Sequence, residues 1–305
     1  MRQPPLLIAG CGYLGQALAL QALAHGFQVA GICRSESTAQ SVREAGIPVR
    51  VADLMDSASL AALAREWPRD TAVVHCAASG RGGGGDAYRA VYLEGMRNLR
   101  AAFPEASRML FTSSTSVYPQ TDGSTVNEDS AAEPDRETGR ILRLTENETL
   151  AAGGMVVRLA GLYGLGRSVL LRHFLTGESV IDVRTEVPAT PDGRWVNQIH
   201  RDDAAAALLF LLEKADSAAC RGRIYNASDS TPMLQRTIYT ELSRRFARPL
   251  PPEAPPDAAR KRGWTHKRVD ATRLRTLGWS PRFPSWFDAL DGDAALIPSV
   301  MAQLE

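Results

Sequence analysis

Short apolar runs alternate with longer stretches of helical period along the first half of the chain. Leu6-Leu7-Ile8-Ala9 follows Pro4-Pro5 and predicts a buried strand. Residues 16–24, rich in Ala and Leu, predict a helix that His25-Gly26 stops. The same alternation predicts strands over 28–33, 47–51, 71–76, 108–112 and 155–159. It predicts helices over 57–66, 86–102 and 137–150, the first with Ser57 as N-cap. This order predicts an α/β fold: a doubly wound parallel sheet with crossover helices on both faces. Past residue 164 the pattern loosens into a short helix over 168–175, an extended stretch over 195–200, an alanine-rich helix to Lys214 and a late strand over 223–226. Arg201-Asp202-Asp203 opens that alanine-rich helix, with the acidic pair in the first turn where the macrodipole favours it. Residues 251–256 predict a turn-rich connection.

Between the first strand and its helix stands Gly10-Cys11-Gly12-Tyr13-Leu14-Gly15. Strand, G-x-G-x-x-G, helix is the context that makes this spacing a dinucleotide loop. Gly10 allows the tight turn, Gly12 lets backbone approach a diphosphate, and Gly15 lets the helix sit close to the strand. The helix N-terminus then offers free amides and a partial positive charge to the phosphates. The second strand ends in Arg34-Ser35, where an NAD site usually carries an acid for the ribose 2′-hydroxyl. Arg34 is a planar, charge-assisted donor for a 2′-phosphate, so NADP is read over NAD, with NAD the alternative. Glu36 is slightly late for the ribose, and Ser37-Thr38 behind it is a candidate helix cap.

Composition narrows the classes. The chain has 305 residues, 44% hydrophobic and 23% charged, an ordinary balance for a globular protein. A net charge of +1 leaves no footprint for nucleic acid, and no apolar stretch is long enough to span a membrane. Cys11, Cys33, Cys76 and Cys220 have neither disulfide-framework nor metal spacing and read as buried thiols of a cytoplasmic protein. The glycine-rich stretch 81–85 follows the fourth strand and reads as a loop, with a cover over the nicotinamide as its functional reading.

These residues carry a resemblance. The chain resembles the extended short-chain dehydrogenase/reductase family, the NAD(P)-dependent epimerase/dehydratase-like group. The likeness runs through the glycine loop, Ala52-Asp53-Leu54, His75-Cys76-Ala77-Ala78, Ser113-Ser114-Thr115-Ser116-Val117-Tyr118, Val157-Arg158-Leu159, Leu162-Tyr163-Gly164, Ile199-His200-Arg201-Asp202-Asp203 and Leu277-Gly278-Trp279-Ser280-Pro281. It implies a Rossmann-type domain over 1–165, to which 196–228 returns. A smaller, discontinuous substrate lobe is implied from 166–195 and 229–305. The implied cofactor set is Gly10, Gly12, Tyr13, Leu14, Gly15, Arg34, Ser35, Asp53, Leu54, Cys76, Ala77, Ala78 and Ala160, with Asp53 by the adenine. Ser114 holds the family's catalytic Ser/Thr position. A homodimer through the helices near Asp86 and Glu137 is also implied.

One part of the pattern is missing. The family's Tyr-x-x-x-Lys is followed by Ala-Glu, and Glu146 sets that register here. Thr138 then stands in place of the tyrosine and Leu142 in place of the lysine; no lysine precedes Lys214 at all. The usual lysine lowers the tyrosine pKa and holds the nicotinamide ribose. Thr138 has no accessible ionisation, and Arg140 lies on another face of the helix and stays protonated. A positioned acid or base is worth about 10²–10⁴ in rate. The candidate catalytic set is therefore Ser114, Tyr118 and Thr138, with Tyr163 and His200 as further proton donors. Two functions follow: an NADP(H)-dependent oxidoreductase or epimerase/dehydratase-like enzyme with a non-standard proton donor, or a non-catalytic dinucleotide sensor. The expected substrate is a small molecule, anionic or a sugar nucleotide, since arginines crowd 167–184 near Trp195.

Overall fold

The computed structural model describes all residues except 1–2, 81–83, 107, 187–188, 216–219, 258–263 and 305. It divides into two compact units. The first comprises 1–117, 133–158 and 204–225; the second comprises 118–132, 159–203 and 226–305.

The first unit is built on a seven-stranded sheet. Its strands are β1 (Leu6–Ala9), β2 (Val29–Cys33), β3 (Val49–Val51), β4 (Ala72–His75), β5 (Arg108–Ser114), β6 (Met155–Leu159) and β7 (Ile224–Ala227). Their order across the sheet is β7-β6-β5-β4-β1-β2-β3. β1 pairs in parallel with both β2 and β4, with Leu6 opposite Val29 and Ala72. A strand flanked on both edges and covered on both faces must be apolar at every position, and all four residues of β1 are buried. The crossover helices are α1 (Tyr13–Ala24), α2 (Glu36–Glu44), α3 (Ser57–Arg65), α4 (Gly85–Tyr88), α5 (Gly95–Ala102) and α6 (Glu137–Ala151). Leu7, Ile32, Leu60, Val73, Leu99 and Phe103 belong to one buried cluster that joins the sheet to its helices.

Local chemistry departs from the expected boundaries in three places. Asp56, not Ser57, caps α3, accepting from Ser59 N at 3.0 Å; the carboxylate also faces the positive end of the helix. Ser35, not Ser37-Thr38, caps α2 through Thr38 N. The helix expected over 86–102 is interrupted by a π-helical stretch, Arg89–Glu94. His75 Nε2 donates to Val91 O at 2.9 Å inside that stretch. Burial pushes the His75 imidazole down to about 4, so it is neutral and presents one N–H. The widened turn gives that buried donor an acceptor.

The second unit is held by short strand pairs. Gly161–Tyr163 pairs in parallel with Gln198–His200, Thr125–Val126 with Arg268–Val269, and Ile181–Asp182 with Glu253–Ala254. The last pair lies where the sequence predicts only a connection; a two-residue strand is too short to show alternation. Trp195–Val196 pairs antiparallel with Met233–Leu234. α7 (Val169–Thr176) starts at a Ser168 cap and stops at Gly177, whose φ of 77° a side chain would disfavour. Phe174, Ile238, Leu242 and the fully buried Trp286 form its core with Tyr163 and Ile181.

Candidate functional site

The glycine loop of the first unit has the geometry its spacing implies. Gly10 has φ +89°, and a Cβ there would lie 2.2 Å from Ala77 N. A Cβ on Gly15 would lie 2.5 Å from Gly10 O, so only glycine lets α1 start this close to the turn. At Gly12 a Cβ would meet nothing within 4 Å, which leaves open space in front of the helix. Gly12 is the N-cap residue and supplies no side-chain acceptor to the opening turn of α1. An open cradle in front of a helix N-terminus fits a diphosphate.

The rest of the expected cofactor set lies along the ends of the strands. Arg34 and Ser35 are exposed after β2. Among the described residues no hydrogen bond or ion pair engages the Arg34 guanidinium. Glu36, the nearest acid, is bound by Arg43 and held below its usual pKa by that bond. Asp53 is exposed after β3, with its carboxylate accepting from Met55 N at 2.9 Å; Leu54 is buried. Cys76 is anchored after β4 through its amide on Ala9 O at 2.7 Å, and Ala77 and Ala78 follow it. Burial pushes the Cys11 thiol up to about 12 and raises Cys76 and Cys33 as well, so these sulfurs stay protonated. Of the glycine-rich stretch 81–85, residues 81–83 lie outside the described residues.

Ser114 ends β5, half-buried, with its Oγ accepting from Ser116 N at 3.2 Å. The residue before it is held by a buried ionic cluster. Ser113 Oγ donates to Glu146 Oε1 at 2.6 Å, and Arg158 donates to the same carboxylate at 3.1 and 2.7 Å. Arg143 adds a third donor. Glu146 and Arg158 are 0% and 1% exposed. The cluster ties β5, α6 and β6 together at the residue before Ser114. Thr138 lies in the first turn of α6, half-buried, while Leu142 is buried. Arg140 points to Asp135 O at 2.6 Å.

The second unit holds the other candidates. Tyr118 is fully buried and its hydroxyl donates to Asn226 Oδ1 at 2.9 Å. The acceptor of that proton is itself held in place. Asn226 Nδ2 donates to Asp270 O at 2.9 Å, and Glu128 accepts from the Asn226 backbone amide at 2.8 Å. His200 is equally committed, with Nδ1 accepting from Asp202 N at 3.3 Å and Nε2 donating to Asp293 at 3.2 Å. Tyr163 is buried with an unpartnered hydroxyl. Burial and the nearby Asp229 push its pKa far up, so it stays a phenol. Ala160 is buried, its amide on Ala227 O at 3.0 Å.

Three residues carry more of the architecture than sequence reasoning gave them. Arg158 was visible as a charge inside an otherwise apolar strand, and Glu146 as the register mark of α6. Lys267 had only its rarity as a signal. It is buried, and its ammonium donates to Tyr118 O at 2.7 Å. Among the described residues no group of His, Cys, Asp and Glu is placed to hold a metal ion.

The chain is similar to several known proteins. Over 289 residues the chain is 30% identical to Protein YeeZ of Escherichia coli K12, covering 91% of this chain and 95% of that one. A provisionally described NAD-dependent epimerase/dehydratase from Methylobacillus flagellatus superimposes with TM-score 0.74 at 28% identity, covering 99% of both chains. A UDP-glucose 4-epimerase of Thermotoga maritima, solved with UDP-glucose, shares the fold at TM-score 0.77 and 16% identity, over 99% of this chain and 100% of that one. The profile of the NAD dependent epimerase/dehydratase family matches residues 6–228, a span that runs from β1 through β7 and takes in the glycine loop, Ser114 and the buried Glu146–Arg158 cluster. By that match the chain belongs to the NAD-dependent epimerase/dehydratase family, as an NAD(P)-binding, oxidoreductase- or epimerase-like member that lacks the Tyr-x-x-x-Lys pair.

Proposed function

We propose that the chain is an NADP(H)-dependent oxidoreductase acting on a small polar or anionic substrate, with a proton donor other than the usual tyrosine. The family supplies the nicotinamide dinucleotide. The phosphate preference rests on one observation: Arg34 is exposed and unengaged at the end of β2 while the nearest acid is tied to Arg43. A 2′-phosphate gives Arg34 a charge-assisted partner, whereas a ribose 2′-hydroxyl finds no free carboxylate there.

The residues that would hold the cofactor are Gly10, Gly12, Tyr13, Leu14 and Gly15 at the diphosphate, Arg34 and Ser35 at the ribose phosphate, and Asp53 and Leu54 at the adenine. Cys76, Ala77, Ala78 and Ala160 would line the remainder. When bound, the nicotinamide supplies reversible hydride transfer. The chain's own task is to orient the reacting oxygen and move its proton. Ser114 is the hydroxyl for that oxygen, and the ionic cluster behind Ser113 keeps its strand end fixed. Such positioning accounts for much of a barrier reduction even without a dedicated acid.

Titration of NADPH and NADH by calorimetry, followed by transfer of deuterium from 4-deuterated NADPH to a panel of carbonyl compounds, tests the reading. Tighter binding of NADH than NADPH overturns the phosphate preference. Binding without transfer favours the second reading, a dinucleotide sensor, for which the buried Leu142 in the lysine position is the supporting observation. A sugar nucleotide is one substrate class, by analogy with the epimerase of the same fold. A homodimer, checked by light scattering, completes the proposal. Among the described residues no helix is long and apolar enough to cross a membrane.

A further inference from the structure

At the turn around Gly123 the second unit gathers N–H donors that meet no acceptor. Gly123 has φ +81°, and its amide donates to His266 O at 2.7 Å. A Cβ there would lie 2.9 Å from His266 Nε2 and 3.8 Å from Trp195 Nε1, with Cδ2 of the same imidazole as its other near atom. Two ring nitrogens therefore stand around one point that only glycine leaves clear. Both carry hydrogen. An indole nitrogen is a donor only. His266 Nδ1 accepts from Trp195 N at 3.1 Å, which puts the proton of the neutral ring on Nε2. Burial holds His266 below its usual pKa; Asp122 opposes this and Arg184, Arg194 and Arg268 reinforce it. Among the described residues neither Nε2 of His266, a residue 8% exposed, nor Nε1 of Trp195 has an acceptor.

The charge around this point is positive. Arg268 lies 5.5 Å over the Trp195 ring and donates through Nε to Gly123 O at 3.3 Å. Arg184 lies 4.9 Å over the Trp264 ring, which stacks on His266 at 6.0 Å. Among the described residues neither guanidinium has a carboxylate within ion-pair distance. The third guanidinium, Arg194, is already neutralised by the buried Asp182, at 3.1 Å. Among the exposed and half-buried side chains of the cluster, two guanidinium charges thus stand against one acid, Asp122, whose carboxylate accepts from Ser124 N at 3.0 Å. A single further negative charge completes the balance, and charge-assisted bonds are the strong ones. Trp195 and Trp264 are only half-buried, so each indole keeps an open part beside its guanidinium. Flat π surface next to a cation complements a flat ring that carries an anion.

We propose that this donor cluster of the second unit is a binding site for an aromatic carboxylate. The carboxylate oxygens accept from the ring N–H groups of His266 and Trp195 at Gly123, Arg184 and Arg268 supply the opposite charge, and the indoles supply the surface for the ring. That the ligand is the substrate rests on the oxidoreductase reading above; that the site binds it does not. A sugar nucleotide is a poorer match, because its diphosphate brings more negative charge than the two guanidinium groups and Asp122 leave to be met, and Arg194 is already committed to Asp182.

The probe is 2-naphthoate, with 2-naphthamide as its uncharged counterpart and UDP-glucose as the competing anion. The chain has 5 tryptophans, so the indole N–H signals of the intact ¹⁵N-labelled protein report the site directly, with Trp195 and Trp264 assigned by their loss in Trp195→Phe and Trp264→Phe. Saturable shifts of these two signals are expected with 2-naphthoate, at a Kd below about 1 mM, and at least about tenfold weaker with the amide. Arg184→Gln combined with Arg268→Gln is expected to weaken 2-naphthoate about ten- to a hundredfold. Arg268→Gln alone, at an exposed position, is expected to lose about tenfold while melting like the wild type. Equal binding of acid and amide, unmoved Trp195 and Trp264 signals, or undiminished affinity in the folded variants overturns the site. Tighter binding of UDP-glucose than of 2-naphthoate overturns the carboxylate class. Deuterium transfer from 4-deuterated NADPH to 9,10-phenanthrenequinone is measured on the same protein. Transfer without 2-naphthoate binding overturns this site alone; 2-naphthoate binding without transfer supports the site and overturns the oxidoreductase reading.

Discussion

Glu146→Ala should be among the most damaging single changes in the first unit. The carboxylate is fully buried and takes hydrogen bonds from Ser113, from two nitrogens of Arg158 and from Arg143. Removing it takes the Glu146 charge from the buried Arg158 guanidinium, 1% exposed, and the acceptor from the Ser113 hydroxyl. Arg143 is less affected, because at 26% exposure it can turn to water. Breaking one side of a buried pair costs about 3–5 kcal/mol. A domain of this size loses roughly 2–4 °C of Tm per kcal/mol, so a drop of about 6–20 °C is expected. Differential scanning fluorimetry with near-UV circular dichroism measures it. The double variant Glu146→Met with Arg158→Met replaces both charges by apolar volume and should recover most of the loss, since buried pairs repay little beyond their own desolvation. A single-variant loss under about 1 kcal/mol, or a double variant no more stable than the single one, would refute this account of the cluster.

Four further outcomes are expected. Gly10→Ala should destabilise the protein by about 2 kcal/mol or more, because φ +89° and the Ala77 backbone both reject a Cβ. Gly12→Ala, with open space around it, should melt within about 1 kcal/mol of wild type yet lose NADPH affinity by calorimetry. Arg34→Ala should weaken NADPH about ten- to a hundredfold and leave NADH unchanged, as loss of one charge-assisted contact implies; equal losses for both would remove the 2′-phosphate assignment. His75 binds its proton less readily when folded, so the unfolded chain takes up more protons between about pH 4 and 6.5. Stability should therefore fall as pH drops through that window, by up to about 1.4 kcal/mol per unit, and Glu146-independent melts of His75→Gln should show a flatter acid limb.

The parallel sheet, the glycine loop and the vacancy at the Tyr-x-x-x-Lys positions were legible in the residue order. Each is a local pattern: β1 is apolar because both its edges and both its faces are covered, and G-x-G-x-x-G encodes its own turn. Glu146 set the register of α6 from sequence, yet its partners Ser113 and Arg158 lie 33 and 12 residues away, and only packing joins them. The interruption by Arg89–Glu94 was hidden because its helical period is that of its neighbours; the buried His75 beside it supplies the cause. Folding brings Asn226, 108 residues on, to the Tyr118 hydroxyl. Lys267 reaches the Tyr118 carbonyl across 149 residues. No periodicity or spacing reports such contacts. Hydrophobic pattern fixes which face of an element is buried, whereas the identity of the group facing a buried charge depends on chain segments that only the tertiary fold brings within hydrogen-bond reach.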